Sequence, residues 1–101
     1  MPFGAAECSV VYRVMSAPFP GQERARHMGE LKRGDRRWDV FLETQPDGDL
    51  GAIRGRIHFV AAGDHKVTGW VFLEWQERDV QERFGEFSAV ELWHFLEALG
   101  V

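Results

Sequence analysis

Two glutamates are the first candidates for chemistry, because each occupies the fourth position of a repeated six-residue motif. The motif reads V-F-L-E-T-Q from residue 40 and V-F-L-E-W-Q from residue 71, which makes Glu43 and Glu74 equivalent. If both segments flank a third strand, their backbones lie about 9.6 Å apart, twice the strand spacing of about 4.8 Å. Carboxylates at such separations can serve as acid and base on glycosides. An enzyme that uses this pair is therefore one of three hypotheses, ranked last because solvation or pairing with arginines is the commoner state.

No other grouping of residue types predicts a catalytic or metal centre. Glu91 and His94 have the Glu-x-x-His spacing of di-iron sites, but such a site needs two copies and further glutamates. The remaining histidines are His27, His58 and His65. They lie in different segments, without zinc-ligand spacing, and neither a phosphate loop nor a nucleophile elbow is present. The favoured interpretation therefore has no catalytic residue, no metal and no cofactor.

The elements that must position these side chains form an antiparallel meander. Segments 38–44, 53–60 and 67–75 are rich in apolar and β-branched residues and predict three strands, separated by turn sequences rich in Pro, Gly and Asp. Residues 8–15 predict a further strand. Segment 22–37 holds half of the basic residues and fits either a short helix or an edge strand ending at Gly34.

The last quarter of the chain predicts helix. Ser88 and Glu91 form a capping-box sequence, which predicts a helix over 89–99, and residues 77–84 add a helical turn or two. The fold class is therefore α+β: an antiparallel β-sheet of about four strands with a C-terminal helix packed on one face, in a single domain over 1–101. The tryptophans expected between sheet and helix are Trp38, Trp75 and Trp93.

The register of the meander follows from its turns. A two-residue turn at 47–48 sets the first pairing, and a three-residue loop at 62–64 sets the second. On the helix-covered face the expected pairs are Leu42–Ile53 and Trp38–Ile57. On the other face, here called the second face, the expected rows are Phe41–Arg54–Phe72, Asp39–Arg56–Trp70 and Glu43–Ala52–Glu74.

The second face combines aromatic area with arginine. Arg54 between Phe41 and Phe72, and Arg56 beside Trp70, would make cation–π contacts of about 0.5–2 kcal/mol each. A large exposed aromatic surface marks an interaction site. The predicted binding residues are Phe41, Glu43, Arg54, Arg56, Trp70, Phe72 and Glu74.

Composition limits the setting of this face. The chain has 101 residues, of which 45% are hydrophobic, and a net charge of −4, which suits one small domain and argues against a uniformly basic nucleic-acid binder. Cys8 is the only cysteine, so a reducing, cytoplasmic compartment is expected. The sequence has neither the pattern of a leader peptide nor an apolar run long enough for a membrane helix.

These observations favour a small non-enzymatic binding or interaction module. Because both sheet faces carry large aromatic side chains, we expect a homodimer that buries the second face, with a protein or small ligand as the other possible partner. Single-stranded nucleic acid is the alternative, because arginines interleaved with aromatic rings can hold phosphates and stack bases. The acidic balance of the chain does not favour that alternative.

Overall fold

The computed structural model describes Phe19 and residues 22–101, so the strand predicted over 8–15 lies outside the described residues. A short 3-10 turn at Gln22–Arg24 precedes five strands and two helices. The strands are β1 (Ala25–Arg33), β2 (Arg36–Asp47), β3 (Ala52–Ala61), β4 (Asp64–Val67) and β5 (Phe72–Glu74). The helices are α1 (Glu77–Gly85) and α2 (Ala89–Ala98). The predicted α+β class is confirmed, and neither helix is long enough and apolar enough to cross a membrane.

The five strands form one antiparallel sheet in the order β1-β2-β3-β4, and β5 also pairs with β3. Of the two structures considered for segment 22–37, the edge strand is the one present, as β1. A tight turn joins β1 to β2, and Gly34 adopts a φ of +61° there, a conformation that glycine reaches without steric cost.

The first predicted register is wrong by four residues. The loop after Asp47 has four residues, because Asp47 pairs with Ala52. The Asp47 carboxylate accepts hydrogen bonds from the backbone N–H groups of Asp49 and Leu50, and Gly51 closes the loop with a φ of +67°. The resulting pairs include Leu42–Ile57, Glu43–Arg56, Phe41–His58 and Gln45–Arg54. Because the shift is even, every side chain of β2 and β3 keeps its predicted face.

The second predicted register is also wrong, and here the shift is odd. A two-residue turn joins β3 to β4, with Ala61 opposite Asp64. The predicted strand 67–75 is interrupted after Val67, where the Thr68 hydroxyl accepts a hydrogen bond from the Ile57 backbone N–H at 3.0 Å. The chain rejoins the sheet as β5, with Phe72 opposite Gly55, Leu73 opposite Arg54 and Glu74 opposite Ile53.

The core lies between one sheet face and the two helices. Its buried side chains are Leu31, Trp38, Val40, Leu42, Ile57, Phe59, Phe72, Val80, Phe84, Leu92 and Leu96. Of the tryptophans expected there, Trp38 is buried and Trp93 packs against the cluster, but Trp75 is 74% exposed. Gly55 lets α1 approach closely, because a Cβ on it would lie 2.7 Å from a Val80 methyl carbon.

The helix termini follow their sequences. The Ser88 hydroxyl accepts from the Glu91 N–H at 3.2 Å, and the Glu91 carboxylate accepts from the Ser88 N–H at 2.8 Å, so the predicted capping box is confirmed. At the start of α1, Gln76 occupies the N-cap position without a side-chain hydrogen bond to the helix.

Candidate functional site

The second face holds four of the seven predicted binding residues in one strand pair. Phe41 and Glu43 project from β2, and Arg54 and Arg56 project from β3. Trp70 reaches this face from the segment between β4 and β5, since both arginines contact its ring. The sheet and the segment between β4 and β5 therefore bring five of the seven residues together.

The other two predicted residues lie on the opposite side of the sheet. Phe72 is 6% exposed in the core, where its ring packs edge-on against Phe87 with centroids 5.9 Å apart. Glu74 lies opposite Ile53 and pairs with Arg83 of α1 at 3.3 Å. The odd shift of the second register explains both corrections. It also separates the two glutamates of the repeated motif, so the carboxylate pair is not assembled.

Trp70 gathers the two arginines of the second face. The guanidinium carbon of Arg56 lies 4.2 Å from the centre of the Trp70 ring, as predicted, and that of Arg54 lies 4.5 Å from it. Arg54 therefore stacks on an indole and not between two phenyl rings. Asp39 pairs with His27 at 3.0 Å and not with Arg56, because the four-residue register shift moved it along the strand.

Glu43 is the best-connected carboxylate of the second face. Its Oε1 accepts from Nε of Arg56 at 2.8 Å and lies 2.6 Å from Nε2 of His58, and its Oε2 accepts from Gln45 at 2.9 Å. Only 2% of Glu43 is exposed. Burial by itself raises the pKa of Glu43, but these hydrogen bonds and the charge of Arg56 outweigh burial and lower the pKa to about 2. Glu43 is therefore a buried, ionised carboxylate.

His58 extends the cluster from Glu43 towards solvent. Its Nδ1 lies 2.8 Å from Nε2 of His65, and the two rings are nearly coplanar, at 18°, with centroids 5.1 Å apart. Phe19 stacks flat on His58 at 4.1 Å and also lies over His65 at 5.0 Å. An aromatic ring therefore covers the hydrogen bond that joins the two imidazoles.

The pKa of each imidazole is lowered. Burial lowers the pKa of His58 more than its hydrogen bond to Glu43 raises it. Burial also lowers the pKa of His65, and the positive charge of Arg56 adds to that effect, against Asp64. Both rings are consequently neutral near pH 7, beside an ionised Glu43.

This group of histidines was not found by sequence reasoning, which treated His58 and His65 as scattered. One signal was available: Arg56 and His58 alternate with buried residues on β3, so both belong to the face that also carries Glu43. A four-residue loop after Asp47 would have aligned Glu43 with Arg56, and it would have set His58 on the neighbouring position of that face. Loop length was thus the missing information.

A second surface feature lies at the sheet margin formed by residues 67–75. Among the described residues, eight large hydrophobic side chains are exposed, and five belong to this margin. They are Val67, Trp70, Val71, Leu73 and Trp75. Within the described part of the chain β5 pairs with β3 alone, so the other edge of β5 has no strand beside it. A free edge flanked by apolar side chains is a surface suited to strand pairing.

Comparison with known proteins gave no match to any family model, to any curated sequence or to any solved structure.

Proposed function

We propose that this protein is a small interaction module that forms a homodimer through the margin 67–75, which includes Trp70 of the second face. The observation that carries the proposal is the concentration of exposed apolar side chains on one sheet margin. Contiguous apolar surface costs free energy in water, at about 25 cal/mol for each Å² that a partner would cover. The exposed tryptophans add the type of side chain that dominates binding energy at interfaces.

A second copy of the chain suits this margin because the margin is self-complementary. In a two-fold antiparallel pairing centred on Leu73, Val71 of one copy would lie opposite Trp75 of the other. Three apolar side chains of each copy would then meet on one side of an extended sheet. Such an interface uses the same patch on both copies, which is the commonest form of homodimer.

The proposed setting is the cytoplasm, since the chain contains one cysteine and cannot form an internal disulfide. A protein or small ligand that covers the same apolar margin is the other partner considered. Size-exclusion chromatography with light scattering separates these cases, because a homodimer needs no added partner. We expect twice the 11.6 kDa chain mass at micromolar concentration.

The matched test uses two leucines of similar exposure. Leu73 is 54% exposed on the margin, and Leu50 is 57% exposed in the loop between β2 and β3. We expect Leu73→Ser to weaken dimerisation by about tenfold or more, as removal of a buried interface contact does, and Leu50→Ser to leave it unchanged. A monomeric wild type at all concentrations, or equal effects of the two variants, would contradict the homodimer.

Single-stranded nucleic acid is the second candidate, favoured by the stacking of Arg54 and Arg56 on Trp70. Its weaknesses are that Phe72 is buried and that Glu43 neutralises Arg56. This function predicts oligothymidine binding that weakens steeply with salt and is reduced by Arg54→Ala. Fluorescence anisotropy at low ionic strength measures it, and the absence of binding there removes the candidate.

A further inference from the structure

Glu43, His58 and His65 form a hydrogen-bonded chain that the interaction function does not use. The chain runs from the buried Glu43 through the buried His58 to the exposed His65. Oε1 of Glu43 lies 2.6 Å from Nε2 of His58, and Nδ1 of His58 lies 2.8 Å from Nε2 of His65. Links of this length join a nucleophile to a base, and that base to an orienting group, in enzymes that use covalent catalysis.

The ionised carboxylate determines the position of each proton in the chain. Because Glu43 can only accept, Nε2 of His58 carries hydrogen, and Nδ1 of neutral His58 is an acceptor. Nε2 of His65 must then donate to His58, which leaves an unshared electron pair on Nδ1 of His65. Among the described residues no side chain or backbone group is hydrogen-bonded to that Nδ1. The outer end of the hydrogen-bonded chain is therefore a neutral nitrogen with an unshared electron pair, on a histidine that is exposed.

The geometry favours a shared proton over a metal ion between the imidazoles. The nearly coplanar rings point one N–H at the lone pair of the other across 2.8 Å. A metal ion in that line needs about 2.0–2.1 Å to each nitrogen, and hence about 4 Å between them. Phe19 covers one face of the link.

We infer that His65 is a nucleophile for acyl groups carried by activated esters, with His58 as its base and Glu43 as the residue that orients His58. Nδ1 of His65 attacks the ester carbonyl carbon, so that an N–C bond forms. The ester C–O bond breaks, and the alkoxide leaves with the electron pair. The Nε2 proton of His65 passes to Nδ1 of His58, and the carboxylate of Glu43 stabilises the resulting imidazolium.

Hydrolysis of the acyl-imidazole completes the cycle. The hydroxyl of a water molecule joins the acyl carbon, and the electron pair of the N–C bond returns to Nδ1 of His65. The proton held by His58 returns to Nε2 of His65, and the remaining water proton goes to the released alkoxide through solvent. His65 is the catalytic residue in this scheme, whereas His58 and Glu43 are positioning residues. The scheme is independent of dimerisation.

Hydrolysis of 4-nitrophenyl acetate by the 101-residue protein tests this inference. We expect His65→Gln to lower the rate by about 100-fold, in the range of contributions from a positioned acid–base group. His94 is the matched control, because it is exposed on α2 and does not belong to the hydrogen-bonded chain of Glu43, His58 and His65. Rates lowered equally by His65→Gln and His94→Gln would overturn the inference. Mass spectrometry of the quenched protein locates the acetyl group, and acetylation of other residues instead of His65 would also overturn it.

The Glu43→Gln variant tests whether Glu43 orients His58 during acyl transfer or only stabilises the fold. We expect about tenfold slower acyl transfer and a changed pH–rate profile, since the charged groups facing the imidazoles would then be Arg56 of β3 and Asp64 of β4. An unchanged profile and rate would overturn the role of Glu43. Nitrogen-15 NMR of the wild-type imidazoles decides the matter even if this variant unfolds. Hydrogen on Nε2 of both rings supports the chain, whereas hydrogen on Nδ1 of His65 overturns it.

Discussion

The two copies of the repeated motif turn opposite faces to the helices, although five of their six residues are identical. In the first copy, on β2, Leu42 is 2% exposed in the core and Glu43 belongs to the second face. In the second copy, around β5, Leu73 is 54% exposed and Glu74 reaches the helix side. The same residues thus become core in one place and surface in another. The register of the strand, and not its composition, determines which face a side chain occupies.

The inversion starts at the two-residue turn between β3 and β4, where Ala61 lies opposite Asp64, and the neighbours of β5 then favour it. Gly55 has no side chain, so the Phe72 ring can fill the space beside Val80, and a Cβ on Gly55 would lie 3.4 Å from that of Phe72. Thr68 lies opposite Ile57, and its hydroxyl accepts the hydrogen bond of the Ile57 backbone N–H, so β4 ends before this residue. Between β4 and β5 the pairing with β3 shifts by two residues, an even number, so β5 keeps the faces that the turn before β4 sets. Burial of Phe72 rewards this arrangement by about 1.5–3 kcal/mol.

The leucines of the two copies give the largest expected contrast. We expect Leu42→Ala to lower the free energy of unfolding by about 2–5 kcal/mol, because it removes buried methyl groups and leaves a cavity. Leu73→Ala should change it by at most about 0.5 kcal/mol in the monomer. Urea denaturation at concentrations below dimerisation measures both. Equal losses would mean that Leu73 is also buried in the folded chain.

Acidification gives the second contrast, because it should lower the free energy of unfolding through Glu43. The pKa of Glu43 is lowered from 4.5 to about 2, so its stabilisation is complete above pH 4.5 and is lost as the pH falls towards 2. The loss amounts to about 3 kcal/mol, at about 1.4 kcal/mol per pKa unit.

The lowered pKa values of His58 and His65 act in the same direction from pH 6.5 downwards, since the unfolded chain binds protons there more readily. Thermal unfolding across this range measures the slope. A Glu43→Gln variant should lack the step below pH 4.5, and a slope unchanged by that substitution would exclude Glu43 as its source.

Removal of each carboxylate at neutral pH is a smaller test of the same contrast. Glu43→Gln should cost about 1–3 kcal/mol, because it weakens hydrogen bonds among buried polar groups. Glu74→Gln should cost at most about 1 kcal/mol, because its partner Arg83 is more than half exposed to solvent. Denaturant midpoints of the two variants, measured side by side, check the order. The reverse order would mean that the pair with Arg83 matters more than the buried cluster.

The last position of the motif gives the smallest effect, with opposite sign. Gln45 donates to Glu43, whereas Gln76 is an N-cap whose side chain makes no hydrogen bond to α1. Gln76→Ser supplies a capping hydroxyl and should raise the free energy of unfolding by about 0.5–1 kcal/mol. Gln45→Ser should lower it. Calorimetric melting of both variants distinguishes them, and destabilisation by Gln76→Ser would show that the cap geometry differs.

The fold was predictable to the extent that local patterns specify elements. The capping box at Ser88 marks the start of α2, and apolar alternation identifies β2 and β3. The even error in the first register left Leu42 in the core and Glu43 on the second face. The predicted faces of β2 and β3 are therefore correct although the predicted cross-strand pairs are wrong, since side chains alternate between faces every second residue.

The candidate site was less predictable, because it depends on loop lengths that local propensity does not fix. Asp47 followed by Gly48 is typical of a two-residue hairpin turn, yet the Asp47 carboxylate instead binds two N–H groups of a four-residue loop. The alignment of His58 beside Glu43 follows only from that loop. The inversion at β5 depends in turn on the two-residue turn after Ala61 and on Gly55 of β3, which leaves room for Phe72.

The order of strands in the sheet bears on how quickly this chain folds. β1 to β4 lie side by side in the order of synthesis, joined by loops of two to four residues. Each hairpin can close by bringing together residues near in sequence, so little chain entropy is lost before pairing begins. Local pairing of this kind is associated with fast folding among β-rich domains. We therefore expect the long β2–β3 hairpin to pair before β5 and the helices join the sheet.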